Sequence, residues 1–424
     1  VTDHRVFARY TIETPLTLEA AAAAMAGEQS SGTFMKIPGE TPEIVERHGA
    51  RVESVRDLGS TDRPSLPGAL PASEGSAGYR RGDVLLSWPL HNIGASLPNL
   101  MATVCGNLTE LRQLSGIRLT DIEVPEPFLD AYPGPRHGVA GTRSSTGVWD
   151  RPLIGTIIKP SVGLSPEQTA GMVDHLIQGG IDFIKDDELI ASPPYSTIEA
   201  RVRAIMPVID RHADRTGRKV MYAFNITGDL DEMRRNHDLV LKAGGTCVML
   251  SLNWCGPPAV GAMRRHSPLV LHGHRNGWGM LSRDPMLGMD FKAYQKIWRL
   301  LGVDHIHVNG IRNKFSEPDE SVIRSALACR EPLLPGDGRD YRIMPVFSSA
   351  QSADQAAETY RAVGTTDLIY ACGGGIMGHP DGIAGGVASI RQAWEAATAG
   401  IPVEDYARDH PELRGALRQF RAGK

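Results

Sequence analysis

No run of this chain approaches the roughly 18 apolar residues that a membrane-spanning helix needs. Its start shows no charged-then-apolar signal pattern. Cysteine is scarce. Cys105, Cys247, Cys255, Cys329 and Cys372 are odd in number and form no CxxC pair, which argues against a disulfide framework and points to a reduced protein. Charge of one sign is also missing: a formal net charge of −4 over 424 residues offers no electrostatic footprint for nucleic acid or for an acidic membrane surface. These absences lead to the expectation of a cytoplasmic protein that binds neither membrane nor nucleic acid. What remains is an ordinary soluble composition, 41% hydrophobic and 22% charged. At this length, two cores are expected.

From Leu153 onward a short β-rich apolar run alternates with an amphipathic stretch that ends near glycine. The runs are Leu153–Lys159, Ile181–Asp187, Val220–Ile226, Cys247–Asn253, Leu269–His274, His305–Val308, Ile343–Ser348 and Leu368–Cys372. Helix starts are written between them as capping boxes or near relatives, at Ser165 to Gln168, Ser196 to Glu199, Asp229 to Glu232 and Ser352 to Gln355. Helix ends fall at Gly179-Gly180, Gly244-Gly245, Gly302 and Gly364. Eight such units without a long break predict an α/β fold, a closed (β/α)8 TIM barrel. Before it, strand-like runs at Val6–Ile12, Val52–Asp57, Val84–Trp88 and Ile117–Val124 interleave with helices at Leu18–Ala26 and Leu97–Cys105. That βαββαβ order predicts an α+β ferredoxin-like domain. The expected division is residues 1–135 and 136–424, with Tyr132–Gly138 as connector and Thr61–Ser76 as a surface loop.

The polar residues of the second region gather at the ends of the strand runs: Lys159, Lys185 to Glu188, Asn225, Asn253, His272, His274, Arg275, His305, His307, Ser348 and Gly373 to Gly375. A barrel brings those ends to one mouth, where barrel enzymes hold their chemistry. Within Phe183 to Glu188, period-two alternation sends Lys185 and Asp187 to one face, with Glu188 at the rim. Two carboxylates suit a hard cation such as Mg²⁺. A charged lysine beside that cation would be repelled, but a neutral one that reacts with CO2 becomes a carbamate and a third anionic ligand. A salt-bridged rim cluster is the plainer alternative for such a string. Zinc held by the two His-x-His pairs is disfavoured, because the acidic groups lie on another strand.

Gly155 to Pro160, Gly163 to Ser165, Gly180 to Glu188, Leu271 to Arg275, Asp304 to His307, Lys314, Pro345 to Ser348 and Gly373 to Pro380 follow one another as in a known family, as do Glu28 to Thr33 and Gly106-Asn107. In these motifs the chain resembles the large subunit of ribulose bisphosphate carboxylase (RuBisCO), over nearly its whole length. The resemblance implies that Lys185 is carbamylated and binds Mg²⁺ with Asp187 and Glu188. It implies that Lys159 handles the proton at the enolising carbon, a role that a desolvated lysine of lowered pKa can fill. It places His274 near the enediol oxygens and Lys314 on the mobile loop after the sixth strand. Arg275, His307 and Ser348 match the binders of one phosphate; Thr33, Lys314 and the backbone of Gly373 and Gly374 match those of the other. His272 and His305 are expected to be packing residues.

Departures narrow the expectation. Ser161 stands where carboxylases carry a second lysine, Phe34 where a tryptophan follows the threonine, and Ser349-Ala350 where two glycines follow the serine; the loop Val308 to Lys314 keeps only its lysine. The resemblance therefore implies a RuBisCO-like enzyme that forms a Mg²⁺-stabilised enolate from a phosphorylated keto-sugar or 3-oxo sugar acid. Decarboxylation, of a compound such as 3-oxo-isoapionate 4-phosphate, is favoured over enolisation or isomerisation. The alternatives are a true carboxylase and a catalytically silent regulatory member. A homodimer is expected too, since Glu28, Thr33 and Asn107 match residues that complete the partner subunit's barrel mouth.

Overall fold

A computed structural model of the chain describes residues 4–32, 38–73, 78–334 and 338–421. It divides into two compact units. One comprises Val1–Pro133, Gly277–Leu300 and Pro332–Arg339; the other comprises Gly134–Asn276, Leu301–Glu331 and Asp340–Lys424. No helix among the described residues is long and apolar enough to cross a membrane.

The first unit is built on β1 (Arg5–Thr14), β2 (Arg51–Thr61), β3 (Tyr79–Pro89) and β4 (Gly116–Glu123). They form an antiparallel sheet in the order β4-β1-β3-β2, the ferredoxin-like arrangement that the βαββαβ order predicts. Val6, Ala8, Tyr10 and Ile12 alternate inward along β1, and the Tyr10 hydroxyl donates to Val104 O at 2.7 Å, tying the helix Leu97–Cys105 to that face.

The other strands are β5 (Leu153–Ile157), β6 (Phe183–Lys185), β7 (Met221–Asn225), β8 (Cys247–Ser251), β9 (Val270–His274), β10 (Leu287–Met289), β11 (His305–Asn309), β12 (Met344–Phe347) and β13 (Ile369–Ala371). All but β10 close into a parallel barrel, with β9 beside β11 and β13 beside β5. Each expected strand run of the barrel is present, shortened at its ends except His305–Val308, which extends by one residue to Asn309. β10 was not foreseen in the sequence: it is three residues long, too short for a periodic signal, and it adds to the first unit's sheet, parallel to β4.

The barrel strands are buried on both faces, as parallel strands under helices must be. Leu153, Phe183, Met221, Ala223, Cys247, Met249, Val270, Met344, Val346, Ile369 and Ala371 form the apolar interior. Continuing each strand by twos from these positions reaches Ile157 and Lys159, Lys185 and Asp187, His272 and His274, Ser348, and Gly373. The register that fills the barrel with hydrocarbon thus carries the polar residues to one end of it.

Helix starts largely follow the capping chemistry. Ser165 forms a full capping box with Gln168, and Ser352 does so with Gln355. The helix expected to begin at Ser196 is capped instead by Thr197, whose Oγ1 accepts from Ala200 N. Ser196 is drawn into the preceding turn, its amide bonded to Pro193 O. Asp229 occupies the N-cap position without a side-chain capping bond.

Candidate active site

The ends of β5 and β6 set the first contact. Lys159 Nζ donates to Asp187 Oδ2 at 2.6 Å and to Ser161 Oγ at 2.7 Å. Asp187 is buried, and its other oxygen accepts from Leu189 N at 3.1 Å. The position that would hold a second lysine instead carries a hydroxyl that accepts a hydrogen bond from the first.

Lys185, on β6, is buried to 1% exposure; its Nζ donates to Asp186 O at 2.8 Å and lies 3.7 Å from Glu188 Oε2. Burial lowers its pKa, opposed by the nearby charges of Glu188, Asp187 and Asp186. A lysine driven toward its neutral form carries the lone pair that CO2 addition requires. Asp186 points the other way. Arg201 Nη2, Tyr222 OH and Asn225 N all donate to its carboxylate, and Asn225 Nδ2 bonds the carbonyls of Asp187 and Glu188. The middle carboxylate is thereby spent on holding the turn, which leaves Asp187 and Glu188 facing Lys159, Lys185 and His274. Two carboxylates beside a carbamate-competent amine form a hard-oxygen donor set that fits Mg²⁺.

His274, at the end of β9, lies with Nε2 3.5 Å from Glu188 Oε2, while its Nδ1 accepts from Asn276 N at 3.3 Å. Its pKa is well below the ordinary value, first through burial and then through Lys185. Its ring lies 4.5 Å between centroids from that of His307, tilted at 58°, and His307 Nδ1 meets Ser348 Oγ at 2.9 Å. His272 and His305, expected as packing residues, are fully buried. Arg275 is buried and paired: its Nη2 donates to Glu317 Oε2 at 2.7 Å, and Asn309 Nδ2 donates to the same oxygen at 2.6 Å. Glu317 escaped the sequence reading because a lone glutamate in a post-strand loop carries no periodic signal.

Gly373 completes the ring of strand ends. A Cβ built on it would lie 3.9 Å from Lys159 Cε, and Gly374 has open space around it. On β12's exit, Ser349 and Ala350 adopt φ of 69° and 64°, the left-handed region that suits the glycines they replace. Ser349 Oγ donates to Asn309 Oδ1 at 3.0 Å, joining the ends of the neighbouring strands β11 and β12.

Four expected site residues remain: Lys314, Glu28, Asn107 and Thr33. Lys314 is exposed, its ammonium 5.2 Å from the Phe315 ring centroid, and it shares no hydrogen bond or ion pair with the others among the described residues. Glu28 and Asn107 belong to the first unit, where Asn107 Nδ2 donates to Glu28 Oε1 at 3.4 Å. Thr33, and Phe34 beside it, lie outside the described residues. Elsewhere, His237, Asp238 and His266 bring ligand-type atoms within 4.8 Å of one another. There Asp238 Oδ1 bonds both rings, at 2.8 and 2.7 Å, so the group satisfies itself.

This geometry agrees with what the chain is similar to. Residues 138–420 match the model for the ribulose bisphosphate carboxylase large chain, catalytic domain, and residues 1–128 match that for its N-terminal domain. A 3-oxo-isoapionate-4-phosphate transcarboxylase/hydrolase of Xanthobacter autotrophicus is 55% identical, covering 98% of this chain and 99% of its own. A 3-oxo-isoapionate-4-phosphate decarboxylase of Rhizobium rhizogenes is 51% identical, covering 98% of each. The crystal structure of a rubisco-like protein from Burkholderia fungorum superposes with a TM-score of 0.91 at 50% identity, over 98% of this chain and 99% of that one. With both of its domain models matched in order and the strand-end residues assembled around one barrel, this chain belongs to the ribulose bisphosphate carboxylase large-chain family.

Proposed function

We propose that this protein is a Mg²⁺-dependent enzyme that decarboxylates a phosphorylated 3-oxo sugar acid, 3-oxo-isoapionate 4-phosphate, as a homodimer in the cytoplasm. The observation that carries the reading is the group Lys159, Lys185, Asp187, Glu188 and His274 at one end of the barrel, in a chain about half identical to enzymes named for that substrate.

Asp187, Glu188 and a carbamylated Lys185 would hold the cation. When bound, Mg²⁺ supplies positive charge that favours an enolate over its parent ketone. Loss of CO2 from a 3-oxo acid breaks the bond between C2 and the carboxyl carbon and leaves its electron pair in an enolate. Lys159, as the ammonium held between Asp187 and Ser161, gives C2 the proton that completes the product. His274 keeps its Nε2–H toward the acidic group, since its Nδ1 accepts from Asn276 N. Arg275 and the open space at Gly374 are the anion-binding elements on either side.

Ser161 argues against carboxylation, since a hydroxyl that accepts from Lys159 adds no positive charge to the site. The intact lysine and carboxylate set argues against a silent member. A second reading, carboxyl transfer followed by hydrolysis, is favoured by the 55% identical relative that bears that name. The test is an assay with Mg²⁺ and carboxyl-labelled 3-oxo-isoapionate 4-phosphate. Release of labelled CO2 matching substrate loss is expected. Label retained in a non-volatile acid would replace the first reading with the second. Ribulose bisphosphate with labelled CO2 should give no acid-stable product.

A further inference from the structure

A file of hydrogen bonds crosses the buried side of the barrel from Thr142 to Ser348. Thr142 Oγ1 meets His305 Nε2 at 2.8 Å, and His305 Nδ1 meets His272 Nδ1 at 3.3 Å. His272 Nε2 then meets His307 Nε2 at 2.9 Å, and His307 Nδ1 meets Ser348 Oγ at 2.9 Å. We infer that Thr142 is a positioning residue that sets the tautomer of each histidine in turn, so that Ser348 can only accept, and His307 cannot donate, toward a ligand. This rests on the active site proposed above and assigns the polarity of one of its edges.

The direction follows from proton counting. Thr142 has one hydroxyl proton, and that proton lies between Oγ1 and Gly138 O, which are 2.5 Å apart. Toward His305 the threonine oxygen is therefore an acceptor, and His305 carries its proton on Nε2. A neutral imidazole has only one N–H, so His305 Nδ1 is a lone pair and His272 must donate to it from Nδ1. His272 Nε2 is then a lone pair that receives the Nε2–H of His307. His307 Nδ1 is left to receive the hydroxyl proton of Ser348. Reversing the file would require Thr142 to withdraw its proton from Gly138 O and leave two oxygens in close repulsion.

All three rings are neutral. Burial is the first cause in each, holding His305 down to about 3 and His272 and His307 well below the ordinary value. The chain of donors thus has no spare proton. Ser348 offers lone pairs, and both nitrogens of His307 are engaged. A fully ionised phosphate, which carries only acceptors, finds no donor on this edge. The edge takes a hydrogen-bond donor of the substrate, a hydroxyl or a protonated phosphoryl oxygen. The binding role that the resemblance gives His307 and Ser348 is thereby that of an acceptor, with Arg275 the charged donor of the same set.

The experiment reads ring tautomers directly, through long-range ¹H–¹⁵N correlation on the full chain labelled with ¹⁵N-histidine. It needs no turnover, so it can fail while the proposed function stands, and the reverse. His305 and His307 are expected as Nε2–H tautomers and His272 as Nδ1–H. An Nδ1–H signal for His307, or Nε2–H for His272, overturns the inference. Thr142→Val should scramble the pattern and Thr142→Ser should restore it. An unchanged pattern in Thr142→Val also overturns it, and if that variant does not fold the wild-type spectrum decides. In turnover, Thr142→Val should lower kcat/KM about tenfold, with Thr142→Ser recovering most of the loss.

Discussion

Lys159 is bonded through its ammonium to Asp187 Oδ2 at 2.6 Å, across the ends of neighbouring barrel strands. An oxygen held by Lys159 is one that a cation must win from it. Lys159→Met should therefore tighten Mg²⁺ binding about three- to tenfold, the worth of a partly exposed ion pair, while abolishing turnover. Calorimetric titration with Mg²⁺ measures this. Weaker binding in the variant would show that the lysine supports the site and does not compete for it.

Lys185→Ala and Asp187→Ala should each lower Mg²⁺-dependent turnover by at least about 10²–10³-fold, with circular dichroism unchanged. Both residues lie beyond the apolar interior, so the barrel keeps its packing. A crystal grown with Mg²⁺ and bicarbonate should show added density on Lys185 Nζ. Full turnover in Lys185→Ala would remove the carbamate from the mechanism.

Ser349 and Ala350 hold left-handed backbone that only glycine adopts without steric cost. Ala350→Gly should raise the melting temperature by about 1–2 °C, equivalent to roughly 1 kcal/mol offset in part by the entropy of glycine in the unfolded chain. Ser349→Gly should gain less, since it also loses the bond from Ser349 Oγ to Asn309. A fall in melting temperature for Ala350→Gly would contradict the strain argument.

The buried histidines set an acid limit. His305 titrates at about 3 when folded, and an unfolded imidazole at about 6.5. Between those values the unfolded chain binds a proton that the folded one refuses, so stability is complete above 6.5 and lost as pH falls toward 3. His272 and His307 are shifted in the same direction. The free energy of unfolding should fall below pH 6.5 by about 1.4 kcal/mol per pH unit for each such ring, and the melting temperature should fall with it. His305→Gln should flatten it by one ring's share, and an unchanged slope would show that His305 is protonated in the fold.

If Glu28 and Asn107 complete the barrel mouth of a partner subunit, inactive Asn107→Ala chains mixed with inactive Lys185→Ala chains should form active hybrids. With subunit exchange, activity should return up to one site in two of each mixed dimer. No recovery would mean that each chain builds its site alone.

Much of this could be read from the sequence because a strand has a period of two. Once Phe183 is inside the barrel, Lys185 and Asp187 must be inside as well, and once Val346 is inside, so is Ser348. The capping boxes at Ser165 and Ser352 and the helix-ending glycines are equally local, since each joins residues three or four apart. Spacing also separated Asp186 from Asp187, although its partners, Arg201 and Tyr222, could not be named.

What alternation cannot supply is a neighbour. It says which face a side chain takes, not which side chain of the next strand it meets, and that depends on the register between strands. Only the tertiary register of β9 against β11 lets His272 meet His305 and His307 more than thirty residues away, and only the packing of Thr142 against His305 lets it speak for Ser348. The pairing of Arg275 with Glu317 and the capture of β10 by the sheet of the first unit have the same origin. The sequence by itself determined the barrel strands, the face each residue takes and the family of chemistry at their ends. The tertiary structure decided which hydrogen bond each group gives or receives, because a proton's position is set by the partner that packing brings to it.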